Sequence, residues 1–90
     1  MKSGVELISE ERQRQIIEEG YTKEHDSFHS PTEFVKAAIA YLVSCYDNEK
    51  GIDCWPWEET GFKPGSSKRN MVKAGALLAA ALDLMKDEEN

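Results

Sequence analysis

The stretch Lys63–Met85, KPGSSKRNMVKAGALLAAALDLM, decides the fold. It opens on a turn, passes a cluster of positive charge and becomes an almost unbroken apolar run. Gly65, Ser66 and Ser67 supply turn and N-cap chemistry, because a Ser hydroxyl can accept from an orphan N–H one turn into a helix. Ala and Leu dominate the remainder of the stretch, and both are strong helix formers. Met71, Gly75, Leu78 and Leu82 recur at helical spacing, with Val72, Ala79 and Met85 beside them. Gly75, Ala76, Ala79 and Ala80 are small enough to admit a second helix. The apolar part is about a dozen residues, well short of the ~20 that a membrane span needs. The stretch reads as the last helix of a small bundle.

The mouth of that helix carries an unusual charge. From Thr60 to Leu82 there are four basic residues, Lys63, Lys68, Arg69 and Lys73, and no acidic one, whereas the chain before Thr60 has thirteen acidic residues against six basic. A helix N-terminus already bears partial positive charge, so acidic side chains belong there. An anion held by the N–H groups of Ser67 to Asn70, with Lys68 and Arg69, resolves the conflict. A solvated basic turn that pairs with the chain's own carboxylates resolves it equally.

Size and composition narrow the field. Ninety residues with a net charge of −6 make one domain over residues 1–90, with a modest core that an oligomer can supplement. The acidic balance argues against a general nucleic-acid binder. MKSGVEL at the N-terminus has no apolar signal region, which points to a cytoplasmic protein. Cys45 and Cys54 are too few and too irregularly spaced for a zinc site or a disulfide framework, and reduced thiols are expected.

Three further segments complete the architecture. Ser3 and Glu6 have capping-box spacing and Gly20 is a good C-cap, so a first helix spans about residues 4–19. Val5, Ile8 and Ile16 form its apolar stripe, and Arg12 interrupts it, either snorkelling to a carboxylate or facing a polar ligand pocket. The loop YTKEHDSFHSP, Tyr21–Pro31, holds His25, Asp26 and His29. This trio reads either as a plain structural loop with turn and capping roles or as a polar pocket; without an identifiable fourth ligand it does not define a metal site, and no metal or other cofactor is expected. Ser30, Pro31 and Glu33 start a second helix over about residues 31–46, so apolar that only Glu33, Lys36, Ala40 and Ser44 mark an exposed stripe. Asp47–Gly65 then reads as a long loop with its own aromatic content. In its W-P-W segment, Pro56 sets the separation of Trp55 and Trp57. These indoles either plug the open end of the bundle or stack on a planar ligand. The expected fold is all-α: a small three-helix bundle, with the third helix at about residues 67–86 and a long aromatic-containing loop before it.

Several stretches together, ERQRQIIEEGYTKEHD (Glu11–Asp26), WPW (Trp55–Trp57), KP (Lys63, Pro64) and KRNMVKAGALL (Lys68–Leu78), resemble a group of small proteins encoded by bacteriophages and prophages. The resemblance covers most of the chain in order. It implies a phage-type origin, a host cytoplasmic setting and a shared site, but no reaction. Tyr21 stands where the group's pattern commonly has tryptophan, and Ser27 where a second aspartate is frequent, which weakens a metal reading.

Enzyme chemistry finds little support. Short all-α nucleotide pyrophosphohydrolases hold magnesium with paired carboxylates on two helices. The first helix here offers Glu6, Glu10, Glu11, Glu18 and Glu19, but the second offers only Glu33. The leading expectation is a non-enzymatic binding protein for a small anion, with a nucleotide as one example. Arg12, Lys63, Ser67, Lys68, Arg69 and Lys73 would hold the anion, and Trp55 or Trp57 would stack. The alternative is a helical interaction or oligomerisation module that binds a host or phage protein. Neither a membrane nor a nucleic-acid partner is expected.

Overall fold

The computed structural model describes residues 1–20 and 30–85. Among these the chain is all-α, with four α-helices and no strand. Helix α1 spans Gly4–Glu18, α2 spans Pro31–Val43, α3 spans Asn48–Cys54 and α4 spans Ser67–Met85; a 3-10 turn covers Glu59–Gly61.

Reciprocal caps fix the two earlier long helices. Ser3 Oγ accepts from the Glu6 N–H at 3.1 Å while Glu6 Oε1 accepts from the Ser3 N–H at 2.9 Å. Ser30 and Glu33 repeat the pattern at 3.3 and 3.2 Å, with Pro31 in the first turn. Beyond the end of α1, Gly20 takes φ +75°, the left-handed conformation that stops a helix. At α4 the cap is Ser66, whose Oγ accepts from the Arg69 N–H at 3.2 Å. Fully buried Asn70 then reaches back to Gly65, accepting from its N–H at 2.8 Å and donating to its carbonyl at 3.3 Å.

Helix α4 is the common wall. Helix α2 packs along it, and α1 packs against it separately. The core joins Phe34, Ala37, Ala38 and Tyr41 of α2 to Ala74, Leu77, Ala80 and Ala81 of α4. The alanines let the two helices approach closely, and Trp55, Trp57, Phe62 and Leu84 fill the edges of that contact. Cross-bonds tie the start of α4 to the end of α2: Ser67 Oγ donates to the Cys45 carbonyl at 3.1 Å, and Cys45 Sγ donates to the Ser67 carbonyl at 3.5 Å. Cys45 and Cys54 are both free thiols. Among the described residues no helix is long and apolar enough to cross a membrane.

The structure corrects the sequence reading in three places. First, the expected long loop of a three-helix bundle contains α3 and the 3-10 turn. Asp47 caps α3, its Oδ1 accepting from the N–H groups of Glu49 and Lys50, both at 3.2 Å. Helix α2 stops at Val43 rather than residue 46, because i→i+3 bonds tighten its last turn as the chain swings into that cap. Second, the stripe of α2 expected to face solvent is partly buried. Ala40 and Ser44 are buried because the glycine backbone of α3 presses on them at Gly51. The open face instead carries Val35, Ile39, Leu42 and Tyr46, together with Lys36. Third, two apolar stripes are placed differently: Val5 is exposed and does not belong to a stripe on α1, and on α4 Met71, Leu78 and Leu82 are exposed while Val72, Ala74, Leu77, Ala80 and Ala81 form the buried side.

Buried Gly51 and half-buried Gly75 differ in what they face. A Cβ at Gly51 would overlap Ser44 Oγ and lie 2.8 Å from the Ala40 carbonyl, a backbone group that cannot yield. A Cβ at Gly75 would meet the flexible tip of Ile8, Cδ1 at 2.6 Å. Gly51→Ala should therefore lower the unfolding free energy by about 1–3 kcal/mol in urea titration. Gly75→Ala should change it by less than about 1 kcal/mol, since the helix-propensity gain offsets the displacement of Ile8.

Candidate functional site

Helix α1 presents to its neighbours a stripe that is polar at its centre. Its buried residues are Glu11 and Gln15, each 3% exposed. Glu11 is clamped by two guanidinium groups. Arg14, one turn along, donates Nε to Oε1 at 3.0 Å and Nη2 to Oε2 at 2.7 Å, a two-pronged contact. Arg69, from the first turn of α4, donates Nη2 to Oε1 at 2.6 Å. Gln15 Nε2 adds a longer bond to Oε2 at 3.3 Å. Glu18 and Glu19 lie 3.7 and 3.5 Å from Arg14, on its outer side. Burial alone would push the Glu11 carboxyl up; the hydrogen bonds from Arg14 and then Arg69 outweigh it and hold the carboxyl below the ordinary range.

Beside this clamp sits a second polar unit. Lys73 donates Nζ to the Lys63 carbonyl at 2.6 Å and lies 5.4 Å from the centre of the Tyr41 ring. The Lys63 N–H in turn donates to Tyr41 Oη at 3.0 Å. One residue's backbone is thereby held from both sides, which fixes the chain just ahead of Pro64. Burial pushes the Lys73 ammonium down, opposed by the Glu11 charge, and it pushes the Tyr41 phenol up, opposed by the Lys63 N–H. Arg14, Gln15, Glu19, Tyr41 and Lys73 line one small cavity of about 10 Å³, room for little more than a water. Gln15 Oε1 is buried there with no hydrogen-bond partner among the described residues.

The expected anion-binding residues thus divide. Arg69 and Lys73 come together, but Arg69 already grips a carboxylate of its own chain and Lys73 a carbonyl. The Arg69 N–H serves the Ser66 hydroxyl and the Asn70 N–H the Ser66 carbonyl at 2.8 Å, so these two amides are engaged within the cap. Ser67 bridges to Cys45. Lys68 is exposed, as is Lys63 apart from its backbone bonds. Arg12 is turned elsewhere, toward Asp83 near the other end of α4 at 3.4 Å, the carboxylate pairing that was one of its two readings. His25, Asp26 and His29 lie outside the described residues.

Both indoles pack into the molecule. Trp55 and Trp57 meet edge to face at 5.3 Å, with Phe34 against Trp57 at 5.1 Å and Tyr41 and Phe62 against Trp55 at 5.6 and 5.1 Å. Trp55 Nε1 donates to the Glu58 carbonyl at 2.9 Å and Trp57 Nε1 to Glu33 Oε1 at 2.8 Å. Trp55 also borders a groove of about 510 Å³ between α2 and α3, lined with it by Glu33, Lys36, Ile39, Asp53, Cys54 and Pro56.

Sequence reasoning did not select Glu11, Arg14, Gln15 or Tyr41. A signal was present: Ile8, Glu11, Arg12, Gln15 and Ile16 share one helical face, and polar residues between two isoleucines on such a face mark a buried contact. Comparison with protein-family models, with curated proteins and with solved structures finds no match for this chain.

Because the Glu11 carboxyl is held low, its stabilisation is complete above the unfolded value near 4.5 and is lost as pH falls through the lower folded value. Arg69→Met removes one support and raises that folded value. The variant should lose about 1–2 kcal/mol at pH 7. Its drop in Tm between about pH 5 and pH 3 should also be smaller than that of the parent chain, read by circular dichroism. An equal drop would show that Arg69 does not hold the carboxylate.

Proposed function

We propose that the protein is a helical interaction module that engages another protein surface through the open face of α2. One observation carries this reading. Val35, Ile39 and Leu42 stand 38, 42 and 41% exposed along one face of α2, and Tyr46, in the turn just past its end, stands 82% exposed, although α2 is otherwise the most apolar helix of the chain. Scattered exposed apolar residues are normal, but a continuous stripe on a central helix is the form that helix-docking surfaces take. The groove beside Ile39 extends that face toward Trp55 and Pro56.

A smaller form of the anion reading rests on a different observation, the unpartnered Gln15 Oε1 in the cavity shared with Lys73 and Arg14. Its ligand would offer one donor to Gln15 and a negative group to the two cations, and the cavity would have to widen to admit it.

The two readings separate in simple assays. At a protein concentration of roughly 1 μM, the apolar dye 1-anilinonaphthalene-8-sulfonate should brighten on the folded chain and lose that response in Ile39→Glu/Leu42→Glu. No response from the parent chain would sink the module. Inorganic phosphate and nucleotides should leave Tm unchanged on the module reading; a rise in Tm that disappears in Lys73→Met would restore the anion site.

A further inference from the structure

We propose that the partner of the α2 face is a second copy of this chain, docked antiparallel about a two-fold axis; this rests on the interaction reading above and names its partner. The stripe residues are spaced four, three and four apart, the spacing of a helix–helix seam, with Val35, Ile39 and Leu42 on α2 and Tyr46 in the tightened turn that follows it. That spacing is also its own mirror. Val35 and Tyr46 lie equally far from the midpoint between Ala40 and Tyr41, and so do Ile39 and Leu42. An antiparallel two-fold therefore sets Ile39 against Leu42 of the second copy and Val35 against its Tyr46. Every layer is filled twice by one pairing, as an isologous interface requires.

Charge selects the same direction. Lys36, exposed beside Val35, forms no ion pair among the described residues. At the opposite end of the stripe, just past Tyr46, come Asp47 and exposed Glu49. Antiparallel docking carries each Lys36 toward the acidic end of the other copy. Parallel docking would place Lys36 against Lys36 and carboxylate against carboxylate, which is repulsive. The buried flank of α2 does not obstruct the approach, because α3 and α4 cover the sides that carry Ala37, Ala40, Tyr41 and Ser44. Four side chains per copy make a contact below the ~800 Å² per partner of a stable complex, so the dimer should dissociate in the range of roughly 10–100 μM.

Sedimentation equilibrium of the full chain between roughly 5 μM and 1 mM tests the proposal. The apparent mass should rise from 10.2 kDa toward twice that value. Leu42→Glu, and separately Ile39→Lys, should stay monomeric throughout with unchanged helical circular dichroism. In a Cys45→Ser/Cys54→Ser background of verified fold, mixing Ile39→Cys with Leu42→Cys chains should give mainly the mixed disulfide on oxidation. A monomer at the highest concentration overturns the proposal, as does a dimer indifferent to Leu42→Glu or a preference for 39–39 crosslinks. If a monomeric chain still shows the dye response that Ile39→Glu/Leu42→Glu removes, self-pairing falls while a docking face for another protein survives. If the dye response is missing too, both readings fall.

Discussion

A carboxylate with 1% of its side chain exposed holds α1 to the rest of the molecule. No apolar residue of α1 is fully buried: Val5 and Ile17 are exposed, and Leu7, Ile8 and Ile16 are half-buried. What fixes its position is Glu11, gripped by Arg14 from its own helix and by Arg69 from α4. A buried charge is costly to strip of water, and it is tolerated here because Arg14, Gln15 and Arg69 converge on it at once. The attachment is therefore directional. An apolar stripe would let α1 slide or rotate on α4; a carboxylate that must meet a guanidinium from the first turn of α4 admits one register.

The same contact gives the basic start of α4 an internal partner. The helix N-terminus and its arginine attract negative charge, and the chain supplies that charge from its first helix. Lys73 follows a related logic with a carbonyl in place of a carboxylate, joining Tyr41 in fixing the backbone at Lys63. The excess of positive charge between Thr60 and Leu82 is thus partly absorbed by internal partners, and Lys68, exposed, remains on the outer side of the turn. The structure selects internal pairing for Arg69, one of the two resolutions that the sequence left open.

Local chemistry made much of the fold legible. The two capping boxes, the Gly20 stop and the apolar body of α4 are each set by residues within one turn, so the sequence displays them directly. Three features were less legible because they depend on contacts distant in the chain. Helix α3 contains Gly51, a poor helix former, and is stabilised by the Asp47 cap and by lying against α2. Ala40 and Ser44 look like surface residues until α3 covers them; a glycine facing a serine and an alanine is a close helix approach, and only the pairing reveals it. Glu11 and Gln15 share a helical face with Ile8 and Ile16, but the group that meets the carboxylate is not legible locally, because Arg69 lies 58 residues away.

The covering of Ala40 and Ser44 has a consequence for the opposite side of α2. A helix as apolar as PTEFVKAAIAYLV must place apolar residues on every side, whichever arc its neighbours occupy. Here the neighbours α3 and α4 take the arc of small residues, Ala37, Ala38, Ala40 and Ser44, with Phe34 and Tyr41. Small residues permit close approach, so the tightest helix contacts form there, and the bulky Val35, Ile39, Leu42 and Tyr46 are left outward. Phe34 and Tyr41 are the large side chains that α2 turns inward, and they remove the most apolar surface from water. The inner face of α2 thus combines small residues, which set the close approach, with two aromatic rings, and the aliphatic Val35, Ile39 and Leu42 fall outside the arc that α3 and α4 cover.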